Sequence, residues 1–555
     1  MNKIISKVVI LFLLVSAFVS DAQSQQSDNR NFEISKNLDI FNSIFKELNM
    51  FYVDSIKSKE LIERGLNSML GSLDPYTEYI SEDKMPEFKF MITGEYAGIG
   101  SIITSRAGKI LIIDPYEGMP AANSGLQVGD QLLEIDGYVL EGKNTAEASD
   151  RLKGQANTKV KVKFQRAGET KPRTIEIERK LIHLNPVTYY GVMKNDVGYI
   201  ALSSFTDGCY QEVRDAFDDL RKNKGITSLI LDLRDNGGGS MEEALQILNM
   251  FIPKGKVLLT TKGRSKQNER VYRSTQNPID SVMPLAVMIN SGSASASEIV
   301  AGALQDQDRA IVVGRRSFGK GLVQTPRELP YNGQLKVTTY KYYIPSGRCV
   351  QAIDYAQRNS RGYAERIPDS LTTVFYTEKG RPVRDGGGVT PDFSVPETKI
   401  PNIYYYMDAD GTLMDFVVQW RVKHPTIASP SEFVLTEQDY EDFKEYLKNS
   451  DFKYDRQSER GLASLKELME FEGYLDSASE EFKALEKKLQ PDLGRDLELH
   501  RESLSKLLTA EIMRQYYYAK GTLIYTLRDD KDLTKVLDVL SDKQLYDKTL
   551  SSPVE

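Results

Sequence analysis

Apolar positions along the chain change their period several times, and each change marks a predicted element. Phe32, Ile34, Leu38, Phe41, Ile44, Phe45 and Leu48 recur at spacings of three and four, which gathers them on one face of a helix. A second helical pattern runs near 59–70 and stops at the turn Leu73-Asp74-Pro75-Tyr76. Such a pair packs against its own domain more often than against a partner. From about 85 to 180 the runs shorten to strand length around one helix. Gly98-Ile99-Gly100 precedes Ser101-Ile102-Ile103, Gly118-Met119-Pro120-Ala121-Ala122 opens a short helix, and Leu132-Leu133-Glu134-Ile135 ends at Asp136-Gly137. From Val197 onward strand and helix alternate: 198–202 strand, 210–221 helix, 228–233 buried strand, 241–251 helix. The stretch from about 400 to 555 is charged and helical. Its stripe Leu497, Leu504, Leu508, Ile512 reads as core or interface.

Length and charge narrow the classes. With 555 residues a single core is not expected, and about three domains are. A net charge of −7 without a basic block points away from nucleic acid. His183, His424 and His500 are the three histidines, far apart and without an H-E-x-x-H, so neither a metal nor another cofactor is expected. Cys209 and Cys349 make no disulfide framework, and neither has a histidine nearby to activate it. At the N-terminus Lys3 and Lys7 precede the apolar run 8–19, which is short for a bilayer span, and Ser20-Asp21-Ala22 offers small residues for cleavage. This is the pattern of a secretory leader over 1–22, and it implies a periplasmic protein.

The candidate chemistry lies in two segments. Ser291-Gly292-Ser293-Ala294-Ser295-Ala296-Ser297-Glu298 places a serine among small residues at the opening of a helix. Ser317-Phe318-Gly319-Lys320-Gly321-Leu322-Val323-Gln324 places a lysine between glycines after the strand 311–313. A serine hydroxyl becomes a good nucleophile only when a base takes its proton, and a neutral lysine can be that base. A competing reading takes Gly314 to Lys320 as a phosphate-binding loop. It fails at Gly321, where a Ser or Thr is required, and at Pro326, where a helix should run. Before the helix 241–251, Arg234-Asp235-Asn236-Gly237-Gly238-Gly239 is a glycine loop after a buried strand. Such a loop aims N–H donors outward, as an oxyanion hole needs.

Together these segments resemble the carboxyl-terminal processing peptidases, or tail-specific proteases. The resemblance rests on S-A-S-A-S-E, F-G-K-G, D-L-R-x-N-x-G-G, Tyr343-Ile344-Pro345-Ser346-Gly347-Arg348 and Gly387-Gly388-Val389-Thr390-Pro391-Asp392. It implies Ser295 as nucleophile, Lys320 as general base and Gln324 as the residue orienting that base, with the N–H groups of Gly238 and Ala296 as the oxyanion hole. It also implies a multi-domain α/β architecture. A crotonase-like spiral of ββα units would form the peptidase core at 182–397. A PDZ domain would occupy 85–181, N-terminal helices 31–84 and a helical region 398–555. The PDZ loop Tyr96 to Gly100, with Gly98, Ile99 and Gly100, would receive a peptide's terminal carboxylate on backbone N–H groups, beside a sheet edge that accepts the peptide as a strand. Ile99 would line the pocket for the last side chain. The expected partners are protein substrates held by their C-terminal tails, with an adaptor, a homo-oligomer and a nearby membrane all compatible with the sequence. The alternative is a PDZ adaptor with an inactive protease-like core, against which the intact Ser295, Lys320 and Gln324 stand.

Overall fold

The computed structural model describes residues 31–489 and 492–551. The predicted leader over 1–22 lies outside them. Contacts divide the described residues into two units, one of those up to 79 with 326–337, the other of 80–325 with those from 338 onward.

In the first unit, α1 (31–51) and α2 (Ser58–Gly71) are the two predicted helices. Asp74 closes the turn behind α2 by accepting the N–H groups of Tyr76 and Thr77, both at 2.8 Å. The apolar face of α1 is not covered by its own domain. Phe32, Leu38, Phe41 and Ile44 are exposed, and only Phe45 in that set is half-buried.

The second unit begins with a small β-domain. Its strand β1 (Glu95–Gly98) leads through Ile99 and Gly100 to β2 (Ser101–Arg106) and β3 (Lys109–Pro115). Then follow β4 (Gln131–Ile135), α3 (Thr145–Leu152), β5 (Lys159–Gln165), β6 (Arg173–Glu178) and β7 (Lys180–His183). The sheet runs β2-β3-β4-β5-β6, so β2 is an edge strand, while β1 pairs with β7. Asn144 and Glu147 cap the start of α3 reciprocally.

The larger core is one six-stranded sheet. Its order is β8 (Val187–Met193), β9 (Val197–Leu202), β10 (Ser228–Asp232), β11 (Leu285–Ile289), β12 (Ile311–Gly314) and β13 (Phe393–Ser394). Only β8 is antiparallel to its neighbour. Strands β9 to β12 are buried along their whole length, as parallel strands are when both sheet faces are covered. One face, with Leu229, Leu231, Val287 and Val312, packs against α4 (Cys209–Lys222), α5 (Met241–Asn249) and α6 (Ala296–Asp306). The other face, with Ile230, Ala286, Met288 and Val313, is covered by α10 (Lys531–Ser541) and α11 (Lys543–Ser551) through Leu533, Val536, Val539 and Tyr546.

The last helices of the 398–555 region pack on the peptidase core, because a parallel sheet cannot leave one apolar face in water. The Tyr546 hydroxyl even bonds the first residue of the central strand β11, accepting from Leu285 N at 2.9 Å and donating to Leu285 O at 3.1 Å. Between these parts, α7 (Asn402–Ala409), α8 (Thr412–Lys423) and α9 (Arg501–Thr526) build a separate aromatic-rich cluster. There the predicted stripe Leu497, Leu504, Leu508 and Ile512 is core. Among the described residues no helix is long and apolar enough to cross a membrane.

Candidate active site

Ser295 stands at the entry to α6 with φ 55° and ψ −111°. A side chain at positive φ costs about 1–3 kcal/mol unless its surroundings enforce it, and here they do. The Ser295 N–H donates to Glu298 Oε2 at 2.9 Å, and its carbonyl accepts the Tyr342 hydroxyl at 3.2 Å. Burial pushes the Tyr342 phenol well above its ordinary pKa, which keeps it a donor. This sharp strand-to-helix turn presents the serine side chain at the head of the sheet.

The lysine segment is tied to the same carboxylate. Glu298, fully buried, accepts from Lys320 N at 2.8 Å on Oε2, and from Gly319 N at 2.8 Å and Ser317 Oγ at 2.5 Å on Oε1. Burial pushes its carboxyl up from the usual range, and the donors of Ser317, Lys320, Ser295 and Gly319 pull the other way. One oxygen therefore holds the backbones of both Ser295 and Lys320. Phe318 N donates to Ser293 O at 3.0 Å and adds a second tie between the two segments. Gly319 has φ 93°, and a Cβ there would sit 2.3 Å from that of Ala352, so only glycine fits. Gln324 donates from Nε2 to Thr338 Oγ1 at 3.1 Å.

The glycine loop after β10 is sewn to the serine turn. Asn236 is wholly buried. Its carbonyl accepts Ala294 N at 3.0 Å and Ser297 Oγ at 2.8 Å, and its Nδ2 donates to Leu202 O at 2.8 Å. Asn290 accepts from Asp235 N, and Ser293 Oγ donates to Leu233 O at 2.7 Å. The predicted oxyanion donor needs a correction. Gly238 N already donates to Asn236 Oδ1 at 2.9 Å, because the buried side-chain oxygen needs a partner. The N–H groups of Ala296, Gly237 and Gly239 have no acceptor among the described residues. Gly238 matters for its lack of a side chain: at φ 100° a Cβ would lie 2.8 Å from Ser295 Cβ and 3.0 Å from Ala296 N. Gly238→Ala is therefore expected to lower kcat by about 100-fold by displacing the serine turn. Steady-state kinetics beside a melting curve checks this; an unchanged kcat would remove the loop from the reacting geometry.

The two other family turns act on the far end of α6. Arg348 is buried and pairs with Asp306 at 2.9 Å and with Gln305 Oε1 at 2.7 Å. Asp392 accepts Val312 N at 2.7 Å and Gln305 Nε2 at 3.1 Å. Both ends of the helix carrying the serine are thus pinned. Sequence reasoning missed Asn236, Ser317 and the work of Glu298. The capping spacing from Ser295 to Glu298 was the one available signal for the last.

Cys209 and Cys349 are unpaired thiols. Burial pushes both pKa values up, so neither is an activated nucleophile. His183 meets Glu212 at 2.8 Å and His424 bonds to the carbonyl of Trp420, both away from this site. Among the described residues no cluster of His, Cys, Asp and Glu could hold a metal.

In the small β-domain, the Gly98 to Gly100 turn is held by Ala121 N on Ile99 O at 2.7 Å and Tyr116 N on Gly100 O at 3.0 Å. Burial raises the Tyr96 phenol, opposed by the N–H groups of Ser101 and Gly100. Ile99 is corrected as a pocket-lining residue. It is 2% exposed and packs in the domain core with Ile110, Ile112 and Leu132, so the turn offers its backbone instead.

Comparisons with known proteins place the chain in a family. A profile described as Peptidase family S41 matches residues 196–356, a PDZ domain profile matches 111–166, and one described as Probable PDZ-protease, C-terminal helical domain, matches 403–540. The carboxy-terminal-processing protease of Bartonella bacilliformis is 36% identical over 355 residues, covering 63% of this chain and 81% of its own. The carboxy-terminal processing protease CtpA of Bacillus subtilis is 30% identical over 349 residues, covering 62% and 72%. The solved photosystem II D1 C-terminal processing protease is 26% identical with a TM-score of 0.35, covering 65% of this chain and 93% of that one. With a relative matched over four-fifths of its length, the chain belongs to peptidase family S41, the carboxy-terminal processing proteases, and is a serine-type peptidase with a PDZ domain and a C-terminal helical domain.

Proposed function

We propose that this peptidase works outside the cytoplasm, captures proteins by their C-terminal tails on its PDZ domain, and cuts them through an acyl-enzyme on Ser295. Lys320 is the general base. As Ser295 Oγ attacks the scissile carbonyl carbon, its proton passes to the neutral Lys320 amine, and the carbonyl π electrons move onto oxygen. The oxyanion is met by the N–H of Ala296 and a second N–H from the Gly237–Gly239 loop. Collapse of this intermediate breaks the C–N bond, and the Lys320 ammonium returns the proton to the leaving amine. Water then attacks the ester carbon while Lys320 takes its proton, and collapse breaks the C–Oγ bond as the Lys320 ammonium returns the proton to Ser295 Oγ, leaving the free acid and a neutral lysine. Gln324 orients the lysine through its amide oxygen.

The observation that carries this reading is Glu298 Oε2, which accepts both Ser295 N and Lys320 N. A fold with no use for the pair would have no reason to hold a strained serine and a glycine-flanked lysine on one buried oxygen. The leader pattern at residues 3–22 supports the extracytoplasmic location.

Tail capture follows from the edge strand β2 and the turn before it. A C-terminal peptide can pair with β2 while its carboxylate takes N–H groups at Gly100 and Ser101. Charge-assisted hydrogen bonds contribute about 1.5–3 kcal/mol each, so amidating the tail should weaken recognition about tenfold or more. The test compares cleavage of one protein bearing an apolar, a charged and an amidated tail. The apolar free acid should be cut fastest. Equal rates on all three would remove tail selection from the account.

A further inference from the structure

We propose that Asp532, on the C-terminal helix α10, is a positioning residue of the peptidase reaction, because it ties the loops flanking the active site to each other. This rests on the Ser295–Lys320 reading and extends it to the charged helical stretch after residue 400.

Arg234 opens the glycine loop, and Arg315 opens the segment that ends in Lys320. Both reach the same acidic cap of α10. Arg315 forks onto Asp532, with Nη2 to Oδ2 at 2.9 Å and Nη1 to Oδ1 at 3.2 Å. Arg234 Nη1 meets Asp532 Oδ2 at 3.1 Å and Asp530 Oδ2 at 2.8 Å. On its other side Arg234 forks onto Asp232, which also accepts the Tyr199 hydroxyl at 2.6 Å. The Asp532 side chain is 4% exposed and that of Arg234 16%, so the network works in a poorly solvated place. A forked Arg–carboxylate pair fixes angle as well as distance. Asp530 is itself the N-cap of α10, accepting from Asp532 N at 2.8 Å and Leu533 N at 3.0 Å, so both carboxylates are held rigidly.

The loops need such a tie. Asp235, directly after Arg234, has φ 57°, and the glycines that follow offer little stiffness of their own. The serine turn is anchored by Asp235, through Asn290, and by Asn236 from one loop, and by Phe318 from the other. Asp532 closes this arrangement from outside the sheet. The same helical region also grips the PDZ domain. Arg106 at the end of β2 donates to Asp410 O at 3.2 Å, and Arg514 donates to Ile113 O at 3.2 Å.

The experiment is a double-mutant cycle on the full-length protein with Asp532→Asn, Arg315→Ala and both together. It reads kcat per titrated active serine on a short activated ester that carries no tail, so that PDZ binding does not enter. Asp532→Asn should lower kcat per active serine about tenfold or more, with KM within about twofold. The double variant should lose little more than the worse single one. A purely structural role would lower the fraction of titratable enzyme and leave the rate per active site untouched. Wild-type kcat per site in Asp532→Asn, or fully additive losses, would overturn the proposal. Should Asp532→Asn not fold, Arg315→Ala alone decides it, since Arg315 is partly exposed: reduced kcat per site supports the tie and unchanged kcat refutes it. Ser295→Ala, run alongside, separates the two readings. Hydrolysis retained in that variant would defeat the Ser–Lys assignment, whatever Asp532→Asn does.

Discussion

Ser295→Ala and Lys320→Ala are each expected to bring proteolysis to background while leaving the melting temperature close to that of the parent protein. Nucleophile and base act as a unit, so losing either removes most of the rate, about 10⁴-fold or more in comparable catalytic groups. The fold should survive because the contacts holding these residues are made by their backbones. Glu298 bonds the amides of Ser295 and Lys320, and Tyr342 bonds the Ser295 carbonyl. Truncation at Cβ leaves all three bonds in place. Gln324→Ala should be milder, since Gln324 only orients the base. Purified variants assayed on a tailed protein substrate check this, and near-parental hydrolysis by either alanine variant would defeat the assignment.

Glu298→Ala is the second large effect, and it should strike stability as well as rate. Four donors lose their acceptor inside the core: Ser295 N, Lys320 N, Gly319 N and Ser317 Oγ. Each buried donor left unmade costs about 1–3 kcal/mol, so the sum takes a large part of a typical total of about 5–15 kcal/mol. Glu298→Gln should be gentler, for a structural reason. Its amide nitrogen can replace Oε1, where the Ser317 hydroxyl can turn to accept, and its oxygen can stay on Ser295 and Lys320. The replaced side still sets Gly319 N–H against a donor. Glu298→Gln should therefore fold with a lowered Tm and lose about tenfold in kcat, whereas Glu298→Ala should be largely unfolded or inactive. Thermal melts and kcat of the two variants provide the check. Parental values in both would mean that the strap is dispensable.

The contrast between Glu298 and Ser295 shows what the sequence discloses. Ser295 and Lys320 could be singled out because each sits in a local pattern whose chemistry is that of its own residue type. Glu298 stood in the same pattern, but its importance comes from donors 19 to 22 residues further on, and no local period reports them. Gly238 was placed correctly beside the serine, yet its N–H proved to belong to Asn236, since spacing says nothing of which way an amide points. The strand and helix alternation after Val197 gave the core sheet. It did not give the cover on the second face, because the apolar positions of α10 fit any apolar surface. Only the sheet's need for two covers brings Leu533, Val536 and Val539 onto Ile230 and Met288. The helix at 31–51 shows the reverse case, with a period read correctly and a face that its own domain leaves exposed.

The central claim is that Ser295 carries the acyl group. The direct measurement is peptide mapping by mass spectrometry after acid quench during turnover of an activated ester. One acyl group on the peptide containing Ser295, absent in Ser295→Ala and strongly diminished in Lys320→Ala, is the predicted result. An adduct on Cys209 or Cys349, or on Ser295 at parental rate without Lys320, would contradict it.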